Sequence, residues 1–113
     1  MLYALINSNG IEAKKSEQML TLKEMQQLVG IQGESAYIEA VYNQFTDPTI
    51  VLLCDDEFLL KGFSPTCKTK AGLTLHGQVL VLSTTDSDFC LLTEEQFAIL
   101  KAALLLNEEN TTA

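Results

Sequence analysis

Two short stretches of this chain have no polar face. Ile50-Val51-Leu52-Leu53-Cys54 and Val79-Leu80-Val81-Leu82 are apolar at every position. Successive side chains of a strand point to opposite sides of a sheet. A strand apolar on both sides must therefore be covered on both sides. Both runs are too short for independent helices and read as central strands of a sheet.

Around these two runs the chain supplies the remaining elements. Residues 2–6 read as a first strand, and Asn7-Ser8-Asn9-Gly10 as a turn. A second extended stretch over Ile11–Ala13 completes a hairpin. Thr21-Leu22-Lys23-Glu24 is a capping box. Leu22, Met25, Leu28 and Val29 follow it at helical spacing, and Gly30 is the natural stop. Tyr37 to Asn43 alternates as a strand, and Asp47-Pro48 makes the turn into Ile50. Residues 63–73 read as an irregular, locally basic segment, and 83–88 as a polar surface loop. A second capping box, Thr93-Glu94-Glu95-Gln96, opens a C-terminal helix to about Leu106. Phe97, Leu100, Ala103 and Leu104 form its core stripe.

The expected fold is therefore α+β. A mostly antiparallel sheet of four to six strands carries a short helix over about 21–29 and a C-terminal helix over about 94–106. Residues 1–106 are expected to form one domain and 107–113 a frayed tail.

Composition narrows the function mainly by exclusion. The formal net charge is −8, and all seven basic residues are lysines. Arginine supplies the planar fork that recognises phosphate and guanine. Its absence, together with the negative field, argues against direct nucleic-acid binding. No apolar run approaches the roughly 20 residues of a membrane helix, and the first residues lack a secretory pattern. The expected location is the cytoplasm. Cys54, Cys67 and Cys90 form no C-x-x-C pair. Cys54 reads as a core thiol, while Cys67 lies in a loop beside Lys68 and Lys70.

Two polar features merit weighing as chemistry. Asp55-Asp56-Glu57 is the densest carboxylate cluster, but it lacks the alternating ligands of a calcium loop and reads as a solvated turn. His76 is the only histidine, and it stands beside Gly77 at the entry to a strand. No nucleophile elbow, zinc motif or glycine-rich phosphate loop accompanies it. No cofactor or metal is expected.

Several of these pieces together resemble the small domain-of-unknown-function 3846 family of bacteria, phages and mobile elements. They are the short helix Leu22–Gly30 ending in Val-Gly, Tyr37-Ile38-Glu39-Ala40-Val41, and the apolar strand that follows. Asp56-Glu57 with Leu59-Leu60-Lys61-Gly62, the Pro65 loop and Gly77-x-Val79-Leu80-Val81 complete the pattern. Thr66-Cys67 stands where the family usually has an Asn after its Pro. The resemblance covers about residues 20–85. It implies a shared fold and a link to mobile or accessory genes, and no activity.

The reading that follows is a non-enzymatic, acidic interaction protein. In its specific form it is an accessory or anti-defence protein of a mobile element, acting on a host protein or imitating DNA phosphates. The interaction surface is expected at Ile99, Ala102 and Leu106, which widen the apolar arc of the last helix beyond the slightly over 100° that one packing face uses. A homodimer through this arc is one expected outcome. The alternative is a small ligand-binding or ligand-modifying domain with a pocket near the sheet. It would use His76, Cys67 and the cluster Asp55, Asp56 and Glu57.

Overall fold

The computed structural model describes residues 1–7, 10–29, 38–55, 65–69, 72–85 and 88–106. Nine strands and two helices occur among them. The strands are β1 (Leu2–Asn7), β2 (Gly10–Lys15), β3 (Ile38–Val41), β4 (Ile50–Asp55), β5 (Pro65–Thr69), β6 (Thr74–His76), β7 (Val79–Thr85), β8 (Asp88–Cys90) and β9 (Leu104–Leu106). The helices are α1 (Leu22–Val29) and α2 (Glu94–Ala103).

The main sheet has the order β2-β1-β7-β4-β3, and every pairing in it is antiparallel. The two doubly apolar runs, β4 and β7, are its neighbouring central strands, with Leu52 opposite Val81 and Leu53 opposite Leu80. β8 turns back along β7 from Ser83 to Thr85. It takes the edge that β1 leaves open, and the Leu2–Leu92 bridge joins β1 to the chain beyond β8. β6, β5 and β9 form a second antiparallel sheet.

Strand alternation divides the core into two. Ile50, Leu52, Val79, Val81, Ala4 and Ile6 face one way and pack with Leu100 of α2 and Leu75 of β6. Val51, Leu53, Leu80, Leu82 and Leu5 face the other way and pack with Met25 and Val29 of α1. The helices thus sit on opposite faces of the main sheet. This is the physical reason that β4 and β7 carry no polar face.

The structure changes five local expectations. Residues 83–85, expected in a polar surface loop, instead end β7, with Ser83 buried, and Asp88 opens β8. α2 stops at Ala103, and Leu104–Leu106 extend to pair with Thr69–Cys67. The segment expected to be irregular contains β5, whose ladder partners lie in β6 and β9. Asp55 is not in a solvated turn. It ends β4 opposite Ile38, and only 1% of it is exposed. Leu22 is 62% exposed, because the narrow face of α1 is filled by Met25 and Val29 one and two turns later. The expected elements at Gly30–Tyr37 and Asp56–Ser64 lie outside the described residues.

Candidate functional site

An open groove lies between α2 and the segment that joins β3 to β4. Asn43, Gln44, Phe45 and Thr46 form one wall and Ile99, Ala102 and Ala103 the other, enclosing about 570 Å³. The segment reverses direction at Asn43, whose φ is +63°. Asparagine is among the few non-glycine residues that accept this left-handed conformation. Gln44 is held in place from below: buried Thr69 of β5 donates its hydroxyl to Gln44 Oε1 at 2.8 Å. Thr69 Oγ1 also accepts the Leu73 N–H at 3.1 Å, so one hydroxyl ties three segments together.

Beside this groove, across Ile99, lies a cleft of about 420 Å³ lined mainly by polar residues, with Met1, Leu91 and Ile99 among them. Its wall is a hydrogen-bonded set that arises from four parts of the chain. Thr93 and Gln96 form the expected capping box: the Thr93 N–H donates to Gln96 Oε1 at 2.9 Å, and the Gln96 N–H donates to Thr93 Oγ1 at 3.1 Å. The amide nitrogen of Gln96 has two hydrogens left. It donates to Ser83 Oγ at 2.8 Å and to Thr49 Oγ1 at 3.0 Å. Ser83 follows Val79 and Val81 on the α2 face of β7 and is buried, so its hydroxyl needs this partner.

Asp47 completes the set. Its Oδ1 accepts the Thr49 N–H at 2.9 Å and the Thr49 hydroxyl. These bonds, with a longer contact from Gln96, hold its carboxyl below the usual carboxylate range, and partial burial opposes them more weakly. Asp47 therefore presents a fixed, ionised carboxylate to the cleft. Glu95 lies on the same rim.

A third, smaller cavity of about 240 Å³ lies between β3, β4 and β6, lined by Glu39, Cys54, His76 and Leu73–Leu75. Glu39 and Cys54 are register partners, and the buried Cys54 thiol points to the Glu39 carbonyl at 3.8 Å.

Each residue singled out in the sequence can now be placed. Ile99 and Ala102 both line the large groove, but in different ways. Ala102 is exposed, whereas Ile99 is half-buried and packs against the core of its own chain. Leu106 does not continue the helical arc, because it lies in β9 opposite Cys67. His76 ends β6 rather than opening β7, and Gly77 makes the turn at φ +72°. Alternation along β4 directs Asp55 to the face opposite Cys54, and only Cys54 shares a cavity with His76. Asp56 and Glu57 lie outside the described residues, as does the Cys67 side chain. No group of three or more His, Cys, Asp and Glu side chains able to hold a metal occurs among the described residues. No described helix is long and apolar enough to cross a membrane.

The family model for DUF3846, a domain of unknown function, matches residues 3–106. The chain belongs to the DUF3846 family. The match runs from β1 through β9, well beyond the central block that carries the sequence resemblance. Apart from Met1, the residues that line the two grooves beside α2 thus lie within the span of the DUF3846 match. No curated protein and no solved structure matches the chain.

The Asp47, Thr49, Ser83 and Gln96 set was not legible as a site beforehand. Two local signals existed: the Asp-Pro-Thr turn, and a Gln in place of the more common Glu at the fourth position of a capping box. Nothing in the linear sequence shows that the two meet.

Proposed function

We propose that this domain works by binding a protein partner rather than by catalysis, and that the α2 grooves are its contact surface. The observation that carries this reading is the large groove itself. Phe45, Ile99, Ala102 and Ala103 supply apolar walls, Asn43, Gln44 and Thr46 a polar rim, and Thr69 fixes Gln44 from behind. A pocket of a few hundred Å³, largely preformed and mostly apolar, is the usual form of a binding site. In the setting that the family resemblance implies, the domain is an accessory protein that acts by occupying a host protein.

The test uses a photo-crosslinking residue at position 102, with position 27 on the other face as control. Crosslinking of one defined protein from 102 and not from 27 is expected, with its loss in Ala102→Glu. Equal capture from both positions, or capture unchanged by Ala102→Glu, refutes the assignment.

One observation favours a second reading. The smaller cavity places His76 with Glu39 and Cys54 among the apolar side chains of Val41, Leu73 and Leu75, which suits a small, mostly apolar ligand with one polar group held at the sheet. Shifts of the Glu39, Cys54 and Leu75 amide resonances on adding a metabolite mixture, absent in His76→Ala, support it. Their absence removes it.

A further inference from the structure

The two grooves beside α2 differ in chemistry and share one wall, Ile99. Thr46 lines the apolar groove and the next residue, Asp47, lines the polar cleft. We infer that they are two subsites for one extended polypeptide segment of a partner, an apolar side chain entering the first and a lysine or arginine the second. This inference rests on the binding role proposed above and names the class of segment recognised.

Three observations carry it. The first is shape. Successive residues of an extended chain rise about 3.3 Å and direct side chains to alternating sides. Subsites separated by a single side chain suit residues one or two positions apart. The second is charge. Asp47 and Glu95 line the cleft, Met1 with its α-ammonium is the one cationic residue on its lining, and no lysine lines either groove. The ion pair found among the described residues, Lys14–Glu12, lies on β2. Lys101 leaves α2 over the Phe97 ring, its Nζ 5.7 Å from the centroid. Among the described residues no ion pair includes Asp47, and a formal net charge of −8 favours the approach of a basic segment.

The third is preorganisation. A flexible surface carboxylate loses conformational freedom when it pairs with a cation. The Asp47 carboxylate is already fixed by the Thr49 N–H and hydroxyl. Thr49 is fixed in turn by Gln96 and by the backbone bond from the Thr84 N–H to the Thr49 carbonyl at 2.8 Å. Less ordering remains to be done on binding. The same bonds favour the charged form of the carboxylate.

The experiment selects displayed random octapeptides on the full chain and measures the enriched peptide by fluorescence anisotropy. The expected motif has an aliphatic or aromatic residue within two positions of a lysine or arginine. Asp47→Asn, whose amide oxygen can still accept from Thr49, and Glu95→Gln should each weaken that peptide, Asp47→Asn by about tenfold. Ala102→Trp, which fills the apolar groove from an exposed position, should abolish binding. Melting curves check that all three variants fold. An enriched motif with no basic residue, lost in Ala102→Trp but indifferent to Asp47→Asn and Glu95→Gln, overturns the two-subsite inference and leaves the binding role standing. Enrichment of nothing, or binding unaffected by Ala102→Trp, overturns both. A concentration-dependent dimer abolished by Ala102→Glu would make a second copy of this chain the occupant, and would also overturn the inference.

Discussion

The two helices begin with the same device and end with different tasks. At α1, the Thr21 N–H donates to Glu24 Oε1 at 2.8 Å and the Glu24 N–H to Thr21 Oγ1 at 3.1 Å. At α2, Thr93 and Gln96 repeat this geometry almost to the tenth of an ångström. The α1 box stands in solvent, and Glu24 makes no other described side-chain hydrogen bond. The α2 box lies over the sheet, and its amide reaches Ser83 and Thr49 as well. A carboxylate has no hydrogens for that second task. Glu at the exposed box and Gln at the covered one follow from what each side chain meets.

The faces differ in the same way. α1 buries Met25 and Val29 in a cluster that is closed by the sheet. α2 is apolar round much of its circumference, yet among its residues only Leu100 is fully buried. Phe97 and Ile99 are half-covered, and Ala102 is open. The α1 face carries a small pocket of about 230 Å³ beside Tyr3 and Leu28, whereas the α2 face leaves larger grooves of about 570 and 420 Å³.

The largest expected effect tests whether both faces are sealed at the centre. Leu52 and Leu53 are neighbours in β4, fully buried on opposite sides. Replacing either with Ala should cost about 2–5 kcal/mol in denaturant unfolding. Cys54→Asp, which places an unpaired charge on the α2 side, should cost more. A loss below about 1 kcal/mol for only one leucine would show that its face is loosely packed.

Exchanging the box residues sharpens the comparison. Gln96→Glu removes both donors to the sheet and puts a second carboxylate beside Asp47, so it should cost about 1–3 kcal/mol. Glu24→Gln keeps the reciprocal bonds and loses only the favourable charge at the helix start, a few tenths of a kcal/mol. Equal effects would erase the distinction drawn between the helices.

Acid titration gives a smaller signature. The folded pKa of Asp47 is lowered, so its stabilising contribution is complete above the ordinary aspartate value of about 3.9. That contribution is lost as pH falls below this value and through the folded one. Asp47→Asn should therefore flatten the acid limb of the stability curve and leave its slope near neutrality unchanged. An unaltered acid limb would show that the Thr49 bonds do not persist in solution.

The smallest stability effects belong to the open positions. Leu22→Ser and Ala102→Glu should each change stability by less than about 0.5 kcal/mol. For Ala102→Glu this near-neutral melt should accompany loss of partner binding. A large destabilisation would place Ala102 in the core.

Local patterns are legible in the residues themselves. The apolar faces of β4 and β7, the two capping boxes, the Asp47-Pro48 turn and the alternation of Ile38 to Val41 depend on neighbours along the chain. Their periods and hydrogen-bond partners lie within a few positions. The family resemblance drew on the same short pieces.

Only the tertiary structure decided the rest. Leu104–Leu106 continue an apolar run that suits a helix, but β5 offers their backbone a ladder, and they take it. Asp55 looks like part of a solvated acidic turn, but pairing with Ile38 draws it into the sheet. Asp47, Thr49, Ser83 and Gln96 are up to 49 positions apart and meet because β4 and β7 are paired and α2 crosses them. Spacing along a chain encodes the period of a helix or strand. It does not encode which distant backbone will supply the remaining hydrogen bonds, and here those distant partners built the site.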